Sequence, residues 1–216
     1  MRALVFDMDG VIFDSERITV DCWQEVLKRH GFTYSSSVVL GTIGMDAAAT
    51  GRVFRSHYGY DFRFEELREE RKALFDDIVA SGGLPVKPGV YELIDFLKSV
   101  GMKIGLATST QELQTRDELR AARLYDSFDA IITGDMVNNS KPAPDIFLKA
   151  CGALEAMPCD AYCVEDSING ITAAHSAGMK PIMVPDLLPP TQKIRDYCVA
   201  ICPKLDAVID IVKFFS

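Results

Sequence analysis

The sequence predicts an α/β fold: a parallel sheet covered by helices on both faces, with an all-helical segment inserted after the first strand. Three observations carry this. Short apolar runs bounded by turn residues recur along the chain, and such runs form strands buried on both faces. From residue 89 onward they alternate with segments of helical period, a pattern that gives a parallel sheet layered between helices. Between residues 16 and 80 nothing reads as a strand, while apolar side chains recur at helical spacing.

The elements follow in order. Ala3-Leu4-Val5-Phe6 is an apolar run that ends in Asp7, Asp9 and Gly10. Two carboxylates two positions apart project to the same side, and Gly10 allows a backbone turn that other residues resist. A calcium loop of the EF-hand type is excluded, because counting from Asp7 the glycine comes fourth and the twelfth residue is Ile18. Residues 11–15 read as a loop with Ser15 as an N-cap. Ile18, Cys22, Val26 and Leu27 mark a helix over 16–30, stopped by Gly31. Helical spacing returns over 46–58 and 64–80. The Gly/Pro-rich stretch 81–89 then marks a boundary, dividing the chain into a core of residues 1–15 and 84–216 and an inserted helical segment of residues 16–83.

Beyond it the pattern predicts helix 89–100, strand 103–108, helix 111–123, strand 128–133 and helix 144–151. Strand 161–165, helix 168–177 with Gly178 as its stop, strands 181–184 and 199–202, and a closing helix 205–215 complete the chain.

At 216 residues the chain would bury roughly 70% of its unfolded surface, enough for a packed core. A net charge of −8 and a pI near 4.9 disfavour nucleic acid and anionic membranes as partners. No run approaches the ~18 apolar residues of a membrane span, and the N-terminus lacks the basic and then apolar pattern of a signal peptide. A monomer in the cytoplasm is the expectation. Of the six cysteines, Cys159/Cys163 and Cys198/Cys202 are each four apart rather than in a C-x₂-C knuckle, and Cys163 sits in a strand-like run. All six are expected to be reduced thiols in the core.

In an open α/β sheet, ligands gather beyond the carboxyl ends of the strands. There the chain places Asp7 and Asp9, the hydroxyls and amides of Thr108-Ser109-Thr110, Lys141 between a turn and a proline-started helix, and Glu165-Asp166-Ser167. Four acids brought together demand a cation, and hard oxygen ligands select Mg²⁺, which also binds substrate phosphate. Thr108, Ser109 and Lys141 are the groups a phosphoryl moiety requires.

These residues resemble the haloacid dehalogenase superfamily of phosphotransferases. The resemblance rests on Asp7-Met8-Asp9-Gly10-Val11, on Thr108 after its strand, on Lys141-Pro142-Ala143-Pro144-Asp145, and on Glu165-Asp166-Ser167 with Gly170. It covers the whole chain and implies a Rossmann-like core with the helical cap of the β-phosphoglucomutase-like branch. It further implies that Asp7 attacks phosphorus and forms an aspartyl-phosphate, while Asp9 serves as acid and then base. Mg²⁺ would be held by Asp7, the backbone carbonyl of Asp9 and Asp166, with Glu165 a ligand or water-holder. Thr108, Ser109 and Lys141 would bind the phosphoryl oxygens. Dehalogenases proper lack the second aspartate, so Asp9 favours phosphate chemistry.

The mutase of this branch has a lysine before and an arginine after a cap-loop glycine, a basic residue after its second motif, and a histidine on its first cap helix. Here those places hold Ile43-Gly44-Met45-Asp46-Ala47, Gln111-Glu112 and Thr19. Lost anchors for a second phosphate favour a phosphatase acting on a phosphorylated small molecule. The alternatives are a phosphosugar mutase and, more remotely, a receiver-like phospho-acceptor module.

Overall fold

The computed structural model describes residues 2–43, 45 and 47–214. Asp46 and Phe215, the expected ends of two helices, lie outside these, as do Gly44 and Asp46 of the stretch compared with the mutase cap loop. In chain order the elements are β1 (Ala3–Phe6), α1 (Ser15–Arg29), α2 (Ser36–Leu40), α3 (Ala47–Tyr58), α4 (Phe64–Gly82), α5 (Val90–Ser99) and β2 (Lys103–Ala107). There follow α6 (Glu112–Ala121), β3 (Ala130–Ile132), α7 (Asp145–Ala153), β4 (Ala161–Glu165), α8 (Ile168–Ser176), β5 (Lys180–Met183), α9 (Gln192–Tyr197), β6 (Ala200–Ile201) and α10 (Asp206–Phe214). Two compact units result: Met1–Asp14 with Pro85–Ser216, and Ser15–Leu84.

The first unit is a six-stranded sheet in the order β3-β2-β1-β4-β5-β6, with every pairing parallel. β1 is central, and Phe6 is level with Leu106 on one side and Val164 on the other. The chain progresses outward through β2 and β3 on one side and through β4, β5 and β6 on the other. The connections therefore diverge between β1 and β4, the place where α/β sheets leave a crevice.

Alternate residues of β1 feed opposite faces. Ala3 and Val5 join Ala161 and Cys163 in a cluster closed by Ile146, Phe147, Ala150 and Leu154 of the α7 region and by Ala173 and Ala174 of α8. On the other face Phe6 meets the edge of Phe128, with ring centroids 6.1 Å apart. α5 packs on β2, and α10 packs on α5. Near-continuous apolar strands are what such two-sided burial requires. Residues 11–13 form a tight, buried turn rather than an open loop: Gly10 N–H donates to the Phe13 carbonyl, and Ile12 N–H to that of Met8.

The second unit is held by an aromatic core. The ring of Trp23 lies 4.6 Å from Phe54 and 5.9 Å from Phe64, with Val26, Leu27, Phe62 and Leu67 around them. Gly51 permits this, because a Cβ there would fall 2.8 Å from Phe64 Cδ1.

The structure departs from the sequence reading in four further places. α2 and α9 were not anticipated: each is a turn or two long, and only Ile194 of α9 is buried, so neither shows an apolar period. α4 runs on through Ser81 and Gly82, which the Gly/Pro rule assigned to the boundary; Gly83, at φ 75°, is where the helix ends. Ser15 is the first residue of α1 rather than its cap. Cys159, in a short turn, is exposed, and Cys198, at the end of α9, is only half-buried at the margin of the Ile171, Met183 and Ile194 cluster.

Candidate active site

β1 delivers Asp7 to the crevice, and its amide donates to the Val164 carbonyl at 2.9 Å, extending the ladder by one residue. β4 delivers Glu165, fully buried, at the same level. Lys141 joins them from the segment between β3 and α7. Its Nζ donates to Asp7 Oδ1 (2.6 Å), Glu165 Oε1 (2.8 Å) and the Ala107 carbonyl at the end of β2 (3.1 Å). One ammonium thus ties together the ends of three strands. The Lys141–Pro142 peptide is cis.

Glu165 is fixed on its other side as well. Its Oε2 accepts from the Ser167 amide (2.8 Å) and hydroxyl (2.9 Å), and that hydroxyl in turn caps α8 by accepting from Gly170 N–H (3.0 Å). Gly170 has no latitude: a Cβ would lie 1.6 Å from Glu165 Oε1. Asp166 is buried beside Gly10, whose φ is 77° and whose added Cβ would stand 2.2 Å from Asp166 Oδ2. The glycine of the first motif is therefore required by space as well as by backbone conformation.

The hydroxyl loop follows β2. Thr108 is fully buried, its amide donates to the Ile132 carbonyl at 3.0 Å, and its Oγ1 accepts from Thr110 N–H at 3.0 Å. Ser109 is exposed. Asp9 is half-buried, and its Oδ2 accepts from the Thr110 hydroxyl at 2.8 Å.

Asp7, Glu165 and Asp166 each bring a carboxylate oxygen into a group whose members lie within 4.8 Å of one another. All three are buried, against the single ammonium of Lys141. Burial, opposed by Lys141 and reinforced by the charges of Glu165 and Asp9, pushes the Asp7 carboxyl up to about 8. Burial alone would lower Lys141, but Asp7 and Glu165 outweigh it and hold the ammonium well above its ordinary value. An all-oxygen, acid-rich set with one ammonium fits a hard divalent cation. Asp7, Glu165 and Asp166 form the group that could hold it, Glu165 while also serving Lys141 and Ser167. The side chain of Asp9 is not in the group.

A family model described as haloacid dehalogenase-like hydrolase matches residues 4–184. The chain belongs to this family. With YhcW of Bacillus subtilis (strain 168) it is 35% identical, over 91% of this chain and 89% of that one. With a Thermotoga maritima protein named phosphorylated carbohydrates phosphatase it is 32% identical, over 84% of each. A crystal structure of CbbY from Rhodobacter sphaeroides in complex with xylulose-(1,5)bisphosphate superposes with a TM-score of 0.76 at 25% identity, covering 95% of this chain and 96% of that one. This haloacid dehalogenase-like protein is an enzyme, a phosphoric monoester hydrolase.

Of the residues singled out from sequence, Asp7, Lys141, Glu165 and Asp166 converge on one point, and Asp9 and Thr108 flank it through Thr110. Sequence reasoning took Thr110 only as one of three hydroxyl residues suited to phosphate oxygens, and gave Gly134 no role. Yet Gly134 N–H donates to the Thr110 carbonyl at 3.0 Å, and a Cβ on Gly134 would stand 2.3 Å from the Ser109 carbonyl oxygen. A glycine straight after an apolar strand was the one visible signal.

Proposed function

We propose that this protein is a Mg²⁺-dependent phosphatase of small phosphomonoesters, sugar phosphates among them, working through an aspartyl-phosphate on Asp7. The observation that carries the reading is the meeting of Asp7 with Lys141, Glu165 and Asp166 at the crevice between β1 and β4.

In this reading the Asp7 carboxylate attacks phosphorus, and the bond to the leaving oxygen breaks as Asp9 gives that oxygen its proton. Asp9, now a base, takes a proton from the water that attacks the aspartyl-phosphate, which frees phosphate and regenerates Asp7. Lys141, Thr108 and Ser109 supply positive charge and donors to the equatorial oxygens, the main requirement of phosphoryl transfer. A bound divalent cation would add positive charge between Asp7, Asp166 and the phosphate. Glu165 does not touch the substrate in this scheme; it aims Lys141. Residues 16–83 are proposed as the family's cap, with substrate choice as their task.

Relatives support a phosphatase of this kind: one is named for phosphorylated carbohydrates, and CbbY was crystallised with a sugar bisphosphate. The missing bases around Ile43 and at Gln111-Glu112 weigh against a bisphosphate mutase.

The test is release of inorganic phosphate from a panel of phosphorylated metabolites with Mg²⁺, using Asp7→Asn as the dead control. Sustained release over many turnovers is expected and would also dismiss a receiver-like role. Conversion of β-glucose 1-phosphate to an isomer without free phosphate would sink the hydrolase reading in favour of the mutase.

A further inference from the structure

Asp9 needs more than proximity to act. A carboxyl that must hand its proton to a leaving oxygen has to present one oxygen in a fixed direction, which requires its χ2 to be held. The structure supplies a restraint. The Thr110 hydroxyl donates to Asp9 Oδ2 at 2.8 Å, and Thr110 is itself anchored at both ends of its backbone. Its N–H donates to the buried Thr108 Oγ1, and its carbonyl accepts from Gly134 N–H, each at 3.0 Å. The next turn of chain is pinned too: Asp135 Oδ1 accepts from the Thr133 hydroxyl at 2.5 Å and from Glu112 N–H, at the start of α6, at 3.2 Å. The loop after β2 is thus bolted to the loop after β3, where Gly134 leaves no room for a side chain.

We propose that Thr110 is a positioning residue for the acid/base aspartate: clamped by Gly134 and Thr108, its hydroxyl holds Asp9 Oδ2 and so sets the plane of the carboxyl that hands its proton to the departing oxygen. The proposal rests on the reading of Asp9 as the acid of the phosphatase. It assigns the β3 loop a function, since Gly134 holds the backbone of Thr110 in place. Thr110 touches neither phosphorus nor leaving group in this scheme.

The readout is leaving-group dependence. An alkyl phosphate needs a proton on its departing oxygen, whereas p-nitrophenolate leaves without one, so a defect in aiming the acid falls on the first substrate alone. The quantity kcat/KM reports the step that forms the aspartyl-phosphate. For Thr110→Val it should fall about tenfold or more with an alkyl phosphate and less than about twofold with p-nitrophenyl phosphate, out of the 10²–10⁴ that general acid catalysis commonly contributes. Thr110→Ser, which keeps the hydroxyl, should restore the alkyl rate. Thr110→Ala reads the same way should valine disturb the loop. Added to Asp9→Asn, Thr110→Val should cost nothing further with the alkyl substrate, because both act through one group.

Equal losses on both substrates, no loss on either, or full additivity with Asp9→Asn would overturn the proposal. If Asp9→Asn alone leaves alkyl phosphate turnover intact, the underlying acid/base reading is what has failed.

Discussion

Lys141 and Asp7, 134 positions apart in the chain, meet at 2.6 Å, and the side chains of both are more than nine-tenths buried. A buried ammonium with two carboxylate partners is costly to assemble, and removing the ammonium costs more, since it strands the two acids facing each other. On the proposed reading the same residues bear on stability and on catalysis, which makes their variants readable in two ways.

Lys141→Ala should lower kcat by at least about 100-fold, the scale on which a preorganised charge at the transition state is lost. It should also destabilise the protein by about 3 kcal/mol, leaving Asp7 and Glu165 facing without a counter-charge. For a chain of this size that is a fall in Tm on the order of 6–12 °C. Phosphate release and thermal denaturation check the two halves separately. A variant that is inactive but fully stable would mean the ion pair is not formed in the resting enzyme.

Asp7 predicts a pH effect of definite sign. Its carboxyl is pushed up to about 8, chiefly by burial, from an ordinary value near 3.8. The folded protein then binds that proton more tightly than the unfolded chain does, so the stability it contributes is present below about pH 4 and is lost as pH rises toward 8. In EDTA the Tm of the wild type should fall across that window, whereas Asp7→Asn should lack this component. At pH 8 the variant should be the more stable by roughly 1 kcal/mol or more, about 3 °C. Adding Mg²⁺ at pH 8 should raise the Tm of the wild type more than that of the variant. A wild type no less stable than Asp7→Asn at pH 8 without metal would show that the cluster is not electrostatically strained.

Gly170→Ala tests the support beneath Lys141. The new Cβ would overlap Glu165 Oε1, so the carboxylate must leave its bonds to Lys141 and Ser167. A cost of about 2 kcal/mol, with kcat reduced tenfold or more, is the expected outcome of overpacking at such a point. Thermal denaturation and steady-state kinetics suffice, and a silent substitution would show that Glu165 can shift without releasing Lys141.

The parts of the site readable in the sequence are those where chemistry follows an apolar run. β4 was predicted with its observed ends because Ala161-Tyr162-Cys163-Val164 is fully buried and runs straight into Glu165, and Asp7 follows β1 in the same way. What connects these residues was not readable. Nothing in the spacing of Lys141 says that its amine reaches Asp7, Glu165 and the Ala107 carbonyl together, since that depends on β1, β2 and β4 being adjacent. Glu165 stands in the acidic group expected of a metal ligand or water-holder, and its two oxygens also serve Lys141 and Ser167 through contacts with no local signature. The bond from Thr110 to Asp9 was unreadable for the same reason, since the two are 101 positions apart. Short polar helices such as α9 were missed because one buried side chain makes no period.

The helical unit offers an independent check of its own core. Trp23 is the chain's single tryptophan and sits against Phe54 and Phe64, so its fluorescence reports the packing of Ser15–Leu84. Phe54 is fully buried and touches the rings of Tyr58 and Phe62 as well. Phe54→Ala should remove about 3–5 kcal/mol, because the void it leaves is walled by rigid rings that cannot close over it. With a urea slope on the order of 1–3 kcal/mol per molar, the fluorescence midpoint should drop by at least about 1 M. The emission of the folded variant should also shift as Trp23 loses the ring 4.6 Å away. An unchanged midpoint would mean that Phe54 is not part of the core that keeps these four helices together.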